Sequence, residues 1–369
     1  MKLDITKNSE VKRIWMISDT HLGMRSNSKE WLSLVENYFF KFFIPLVKRE
    51  YKVGDILIHC GDVFDSRHSI NLFVQDLGIR IFEELSSIFP FIYVIVGNHD
   101  IAMKQSNEIS SVDCLKYIPG VFILKNEEEK VFGNTKCLLM PWRRDQQHEL
   151  ETVEKFPNSK YVFCHSEVSG LQMSSNPKNV VEHGNSVDLY KKYKMVFSGH
   201  IHYHQRKSNF LLVGNPYEMT RSDAYNKKGI YRLDLETEKL DFFENNYSPK
   251  FLKVNFNNIQ EITLDAFRDK IKNNFIDLYV SSDAITKYNI SSFLLLLDGY
   301  CNRIEPHVYE NDDEMEILLS EKDIIDNYQN FDILTISKKY IEGTSHSDDL
   351  KEKLWKSVKE VFYKVNNEE

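Results

Sequence analysis

Three things are scarce in this 369-residue chain, and each scarcity removes a class of protein. Cysteine is the first. There are five, an odd number, and none forms a Cys-x-x-Cys pair. A disulfide-stapled secreted scaffold is therefore not expected, and a reducing cytoplasm is the simplest setting. Cys60 and Cys164 stand inside apolar runs, where a buried, inert thiol is the expected reading. Basic charge is the second. Lysine and arginine total 47 against 55 aspartate and glutamate, a formal net charge of -8, which argues against a protein that coats nucleic acid by a general positive field. A nuclease stays open, because bound divalent cations and local basic clusters can supply positive charge where phosphate sits. Long apolar runs are the third. No segment approaches the roughly 18 apolar residues of a membrane span. Residues 1–11 are polar and mixed in charge, unlike a signal or transit peptide. Internal repeats, low-complexity tracts and heptad runs are missing too.

What the chain does have is a series of short apolar runs, each ending in a residue able to bind a metal. Residues 14–18 precede Asp19-Thr20-His21, residues 56–60 precede Gly61-Asp62-Val63-Phe64-Asp65, and residues 92–96 precede Gly97-Asn98-His99-Asp100. Residues 161–164 precede His165, and residues 195–198 precede Gly199-His200-Ile201-His202. Buried strands read as apolar runs of this length, and ligands collect where such strands end in an α/β sheet. Helix-length segments at 29–50 and 71–87 lie between the runs, which predicts an α/β domain. From Lys136 the pattern is richer in strands, at 137–140, 210–213 and 229–243, the last with a polar hairpin turn around Glu236-Thr237-Glu238. Two packed sheets flanked by helices accommodate all of it.

A polar, proline-containing joint at Asn245-Asn246-Tyr247-Ser248-Pro249 sets a domain boundary, dividing the chain into residues 1–247, 248–320 and 321–369. The middle piece alternates strand-like segments (251–256, 275–280) with helix-like ones (264–271, 285–298), predicting a small α/β cap. The last piece reads as helical. There Leu350, Leu354, Val358, Val361 and Val365 share one stripe of a helix, with Ser347 as cap and Asp348 and Asp349 in the first turn. Such a helix docks either on its own domain or on a partner protein.

The donor residues suit phosphodiester cleavage, in which hydroxide attacks an anionic ester and an alkoxide leaves. Two divalent ions roughly 3.5 to 4 Å apart lower the pKa of a bridging water and neutralise the phosphoryl oxygens. One carboxylate must then bridge them, and Asp62, next to the permissive Gly61, is the candidate. Asp19 with His21, and His200 with His202, are pairs two residues apart at strand ends. Asn98 adds a neutral oxygen that does not repel phosphate, and His165 completes the second ion's set. Mixed nitrogen and oxygen donors without thiolate favour Mn²⁺, with Fe²⁺, Zn²⁺ or Mg²⁺ as alternatives.

The ordered set Asp-x-His, Gly-Asp-x-x-Asp, Gly-Asn-His-Asp, His, Gly-His-x-His resembles the calcineurin-like metallophosphoesterases. The resemblance implies a four-layer sandwich, with Asp19, His21, Asp62 and His202 on one ion and Asp62, Asn98, His165 and His200 on the other. It implies His99 as the catalytic histidine, a general acid toward the leaving oxygen, with Asp100 orienting its ring. Residues 61–67 and the run Val213-Gly214-Asn215-Pro216-Tyr217-Glu218-Met219-Thr220 are similar to SbcD-type nuclease subunits of double-strand-break repair, in the version carried by large tailed phages. Membership would bring a manganese-dependent 3′-to-5′ duplex exonuclease and single-strand endonuclease activity. It would also bring a nuclease homodimer, an SMC-like ATPase partner docked on the C-terminal helices, and the cytoplasm of a bacterial host. Asp65 and Arg67 fall where relatives steer DNA, although some relatives carry histidine at the position of Asp65.

Two other readings differ from this one. A phosphoprotein phosphatase or small phosphodiesterase of the same scaffold is disfavoured by Asp65-Ser66-Arg67 and Asn98-His99-Asp100, which depart from the phosphatase pattern. A non-catalytic scaffold is disfavoured by the full donor set. The basic clusters Arg143-Arg144, Lys191-Lys192 with Lys194, and Arg206-Lys207 read first as solvated loops, and the 13% aromatic content reads first as core filling.

Overall fold

The computed structural model describes residues 8–103, 106–174, 176, 178–259, 262–310, 341 and 350–357. The chain divides into two compact units, Met1–Met315 and Glu316–Glu369.

The apolar runs become strands for the reason the sequence gives: their side chains are buried on both faces. In the first unit one six-stranded sheet runs in the order Leu240–Glu244, Gly229–Asp234, Arg13–Ile17, Asp55–His59, Ile92–Ile95, Val121–Leu124. Its last four strands are mutually parallel and its first two are antiparallel additions. A second six-stranded sheet runs Gln205–Lys207, Phe210–Leu212, Met195–Ser198, Tyr161–Cys164, Thr135–Met140, Glu128–Phe132, with four parallel strands between antiparallel edges.

Alternate residues of each strand divide between two cores, as the two-residue period of a strand requires. Ile14, Met16, Ile56 and Ile58 meet Tyr161, Phe163, Leu139 and Phe197 between the sheets. Trp15, Ile17, Leu57 and Val94 face the helices Lys29–Asn37, Ile44–Glu50 and Leu72–Ile88. Leu138, Val162, Cys164 and Val196 face Tyr190 and Tyr193 on the far side. The result is the expected mixed α/β architecture, two packed sheets flanked by helices. Cys60 and Cys164 are buried free thiols.

Residues 251–309 form a three-stranded parallel sheet, Phe251–Asn255, Phe275–Ser281 and Arg303–Tyr309, with its own core of Phe267, Ile271, Leu278, Val280 and Leu297. Trp31 stacks on Phe275 with ring centroids 5.3 Å apart, which seats this sheet against the helix Lys29–Asn37. The helix expected at 285–298 is two shorter ones, Ser282–Lys287 and Ile290–Leu295, because the Asn289 side chain accepts from Ser292 N and starts a new helix. In the second unit residues 350–357 are helical, with Leu350 and Leu354 partly exposed. Ser347, Asp348, Asp349, Val358, Val361 and Val365 lie outside the described residues. No helix among the described residues is long and apolar enough to cross a membrane.

Candidate metal centre

Parallel strands of both sheets deliver their loops to one end of the sandwich. The loop after Arg13–Ile17 is tied to the loop after Asp55–His59 by continued ladder bonds, Asp19 N to Gly61 O (3.0 Å), His21 N to Asp62 O (3.1 Å) and Leu22 N to Val63 O (2.8 Å). Four prospective ligands take the left-handed backbone region that non-glycine residues seldom occupy: Asp19 (φ 50°), His21 (φ 42°), Asp62 (φ 56°) and His200 (φ 82°). Their concentration at one place marks strain held by the surrounding structure, a frequent sign of a functional site. Close approach needs glycine beside them. A Cβ on Gly61, itself at φ 98°, would lie 2.3 Å from His165 Nδ1, and one on Gly97 would lie 2.2 Å from Asp62 Oδ1.

The seven residues expected to bind metal converge into two groups. In the first, donor atoms of Asp19, His21 and His202 lie within 4.8 Å of one another, with His21 Nε2 and His202 Nε2 3.0 Å apart. In the second, Asp62, His165 and His200 lie within the same limit. Here Asn98 Oδ1 is 2.9 Å from His165 Nε2 and 2.7 Å from His200 Nδ1. Asp62 Oδ2 stands between the groups, 3.2 Å from His165 Nε2 and 3.7 Å from His21 Nε2. His165 Nδ1 donates to the Cys60 carbonyl at 2.7 Å, which fixes the tautomer with Nε2 free to donate its lone pair.

These residues fit divalent cations. Asp19 and Asp62 are buried, and none of their ion pairs among the described residues involves lysine or arginine. Asp19 Oδ2 is buried without a hydrogen-bond partner, a costly state for a carboxylate oxygen unless a cation meets it. Without cations, protons must carry the compensating charge. Burial pulls His165 down, yet the charge of Asp62 and the hydrogen bond to it push the ring up to about 9. Burial likewise opposes, and the hydrogen bond to Asp65 with the charge of Asp62 outweighs it, in raising His21 to about 9. Burial, aided by the charges of His165 and His21 respectively, lowers His200 and His202 to about 3, so both rings are neutral donors. Bound cations would displace the protons on His21 and His165 and leave two neutral imidazoles facing each ion.

The residues expected to act in catalysis separate. His99 is half-buried beside His21, ring centroids 4.8 Å apart, and its backbone N–H donates to Asp62 Oδ1 at 2.7 Å. Its Nδ1 meets the Asp65 carbonyl at 2.8 Å. Asp100 does not orient that ring, contrary to expectation. Its fully buried carboxylate accepts from the backbone N–H groups of Asp62, Val63, Phe64 and Gly97 at 2.9 to 3.3 Å, and so holds the loop that carries Asp62. Asp65 takes the orienting part instead, its carbonyl on His99 and its carboxylate 3.3 Å from His21 Nδ1. Arg67, half-buried, has no hydrogen bond or ion pair among the described residues.

Of the basic clusters, Arg143 is held by Glu127 and the Lys125 carbonyl, and Lys194 by Glu238. Lys191 pairs with Asp188, Lys192 donates to the Val153 carbonyl, and Arg206 and Lys207 donate to nearby carbonyls. Local structure therefore accounts for most of them, and Arg144 alone in these clusters is exposed without a partner among the described residues. Sequence reasoning gave no role to Tyr217, Asp223 or Lys228, which support the ligand loops from behind.

The chain is 25% identical over 331 residues to exonuclease subunit 1 of Enterobacteria phage T4, covering 82% of this chain and 95% of that protein. Among solved structures, an archaeal phosphodiesterase matches with 18% identity and a TM-score of 0.33, covering 63% of this chain and 99% of that one. A phosphopantetheinyl hydrolase from Mycobacterium tuberculosis matches with 14% identity and a TM-score of 0.32, covering 57% of this chain and 92% of that one. The calcineurin-like phosphoesterase profile matches residues 12–204, the segment that carries every prospective ligand. The chain therefore belongs to the calcineurin-like phosphoesterase family and is a metal-dependent phosphoesterase.

Proposed function

We propose that the protein is a manganese-dependent DNA nuclease, a 3′-to-5′ duplex exonuclease and single-strand endonuclease that acts in double-strand-break repair and recombination with an SMC-like ATPase. The observation that carries this reading is the convergence of seven donors from five strand ends, in a chain aligned over most of its length with a phage exonuclease subunit. Asp19, His21, Asp62 and His202 would hold one ion and Asp62, Asn98, His165 and His200 the other. Such ions supply an activated water and neutralise the phosphoryl oxygens.

The chain's own residues do the rest. With Nδ1 of His99 donating to the Asp65 carbonyl, Nε2 is the ring atom available to pass a proton to the leaving oxygen, which it does from the doubly protonated imidazolium, leaving the neutral ring with its proton on Nδ1. Asp100 keeps the Asp62 loop in place, and Asp65 keeps His21 and His99 in register. The chemistry addresses the phosphate and not base edges, so cleavage has little sequence preference. The three-stranded unit, within residues 248–320, serves as a DNA-binding cap. Residues 321–369 dock the ATPase, and two nuclease subunits pair in the bacterial cytoplasm.

The test is digestion of end-labelled linear duplex with Mn²⁺ or Mg²⁺, with and without a candidate ATPase subunit, beside a phosphopeptide assay. Release of nucleotides from 3′ ends, faster with Mn²⁺, is expected. Phosphopeptide turnover without DNA cleavage contradicts the proposal.

A further inference from the structure

Residues 215–228 touch both the metal loops and the cap, while Tyr217, Met219 and Ala224 pack into the core on the helix side of the first sheet. On the metal side, the Tyr217 hydroxyl donates to the carbonyl of Thr20, the residue between Asp19 and His21. Lys228, 4% exposed, donates to the backbone carbonyl of His202 at 2.8 Å and pairs with Asp223 at 2.6 Å. On the cap side, Glu218 accepts from Phe251 N at 2.5 Å, and the Tyr225 hydroxyl meets the backbone of Lys253. Arg221 reaches both Asp277 oxygens at 2.9 Å and also Glu305, which is the direct neighbour of Asp277 across the parallel strand pair.

The two sides share one turn. Asp223 Oδ2 accepts from Met219 N at 2.9 Å and Thr220 N at 3.0 Å, so the carboxylate that neutralises Lys228 also folds the turn from which Arg221 projects. Arg221 is thus joined through the turn and the Asp223–Lys228 pair to the carbonyl that Lys228 holds.

We infer that this segment is a clamp that sets the separation of the Asp19–His21 and His202 loops according to where the cap sits, with Lys228, Tyr217 and Arg221 as positioning residues for one metal ion. The inference rests on reading the site as a metal centre. Coupling of this kind needs a contiguous physical connection with defined geometry, and here each step is a named hydrogen bond or ion pair. The prediction is selective. The ion at Asp19, His21 and His202 feels the clamp directly, while the ion at Asn98, His165 and His200 feels it less, through the His200 N–H on Asp19 Oδ1, because His165 is held by the Cys60 carbonyl against Gly61.

Site-resolved Mn²⁺ affinity, by electron paramagnetic resonance titration and calorimetry on the full chain, tests it without reference to DNA. The double variant Lys228→Met with Asp223→Asn removes the pair together, so that no uncompensated buried charge remains. It should weaken one of two Mn²⁺ ions by about 10-fold to 100-fold, as loss of an outer support does, and weaken the other less. Arg221→Met should weaken the same ion by about 3-fold to 10-fold, with recovery in Arg221→Lys. If the double variant does not fold, Tyr217→Phe, which loses only the hydroxyl on Thr20, carries the test. Folded variants that bind both ions at wild-type affinity, or that weaken both equally, overturn the inference, as does a wild-type chain that binds no Mn²⁺. Wild-type protein that binds two ions and cuts no DNA rejects the nuclease proposal and not the clamp.

Discussion

Two clusters of acid and histidine in this molecule look alike by composition and differ in what balances them. Asp62, His165 and His200 form one, and Asp277, Glu305 and His307 form the other, each with donor atoms within 4.8 Å. In the cap, Arg221 lies against both Asp277 oxygens and Glu305, and His307 Nε2 is 2.9 Å from Asp277, so the negative charge is met by the protein itself. At the sandwich end, Asp62 meets only histidines, and the neighbouring Asp19 keeps one oxygen without a partner. Ligand-type residues in proximity thus do not define a metal centre. A missing counter-charge does, because a buried carboxylate must be neutralised by something.

The largest effect that sharpens this comparison comes from the residue that belongs to neither cluster. His99→Asn is expected to keep both cations and to lower DNA cleavage by about 10²-fold to 10⁴-fold, the range for a lost general acid. Calorimetry and a nicking assay on the same preparation check it, and a variant cutting at the parental rate would remove His99 from the mechanism.

An intermediate effect is expected at Glu218, a third buried carboxylate that is balanced by neither route. Burial pushes it up to about 7 from 4.5, against the backbone hydrogen bond from Phe251. Between those two values the folded chain holds a proton that the unfolded chain has released, so stability falls as pH rises through that window. Glu218→Gln should flatten this dependence, gaining up to about 3 kcal/mol at pH 8 relative to pH 5. Chemical denaturation at the two pH values measures it, and an unchanged slope would show that a proton does not neutralise Glu218.

The smallest effect is expected in the cap. Asp277→Asn should leave the number of bound Mn²⁺ ions at two, with an affinity change no larger than that of Arg221→Met. Loss of a whole ion on calorimetric titration would mean that the cap cluster is itself a metal site and would break the comparison.

The sandwich and the convergence of residues at its end were legible because both signals are local. A strand buried on both faces is a continuous apolar run, and the converging residues follow such runs within a few residues, as Asp19, Asp62 and His200 do. What stayed hidden depends on distant backbone. Asp100 looked like a partner for the adjacent ring, yet its carboxylate serves four N–H groups, three of them some 36 to 38 residues away. Lys228 and Tyr217 act through carbonyls of His202 and Thr20, which no spacing rule reveals. The strand Arg303–Tyr309 was missed for another reason. It lies at the edge of the small sheet, only Tyr309 is buried, and Glu305, Pro306 and His307 interrupt its apolar residues, so it lacks an apolar run. The helix expected at 285–298 was divided by Asn289, a capping residue inside an otherwise helical pattern.

The central claim is that Asp62 serves two cations at once, one shared with Asp19, His21 and His202 and the other with Asn98, His165 and His200. Anomalous diffraction at the manganese edge from crystals grown with Mn²⁺ tests this most directly. Two peaks flanking the Asp62 carboxylate are the result predicted here. A single peak, or peaks remote from Asp62, would contradict it.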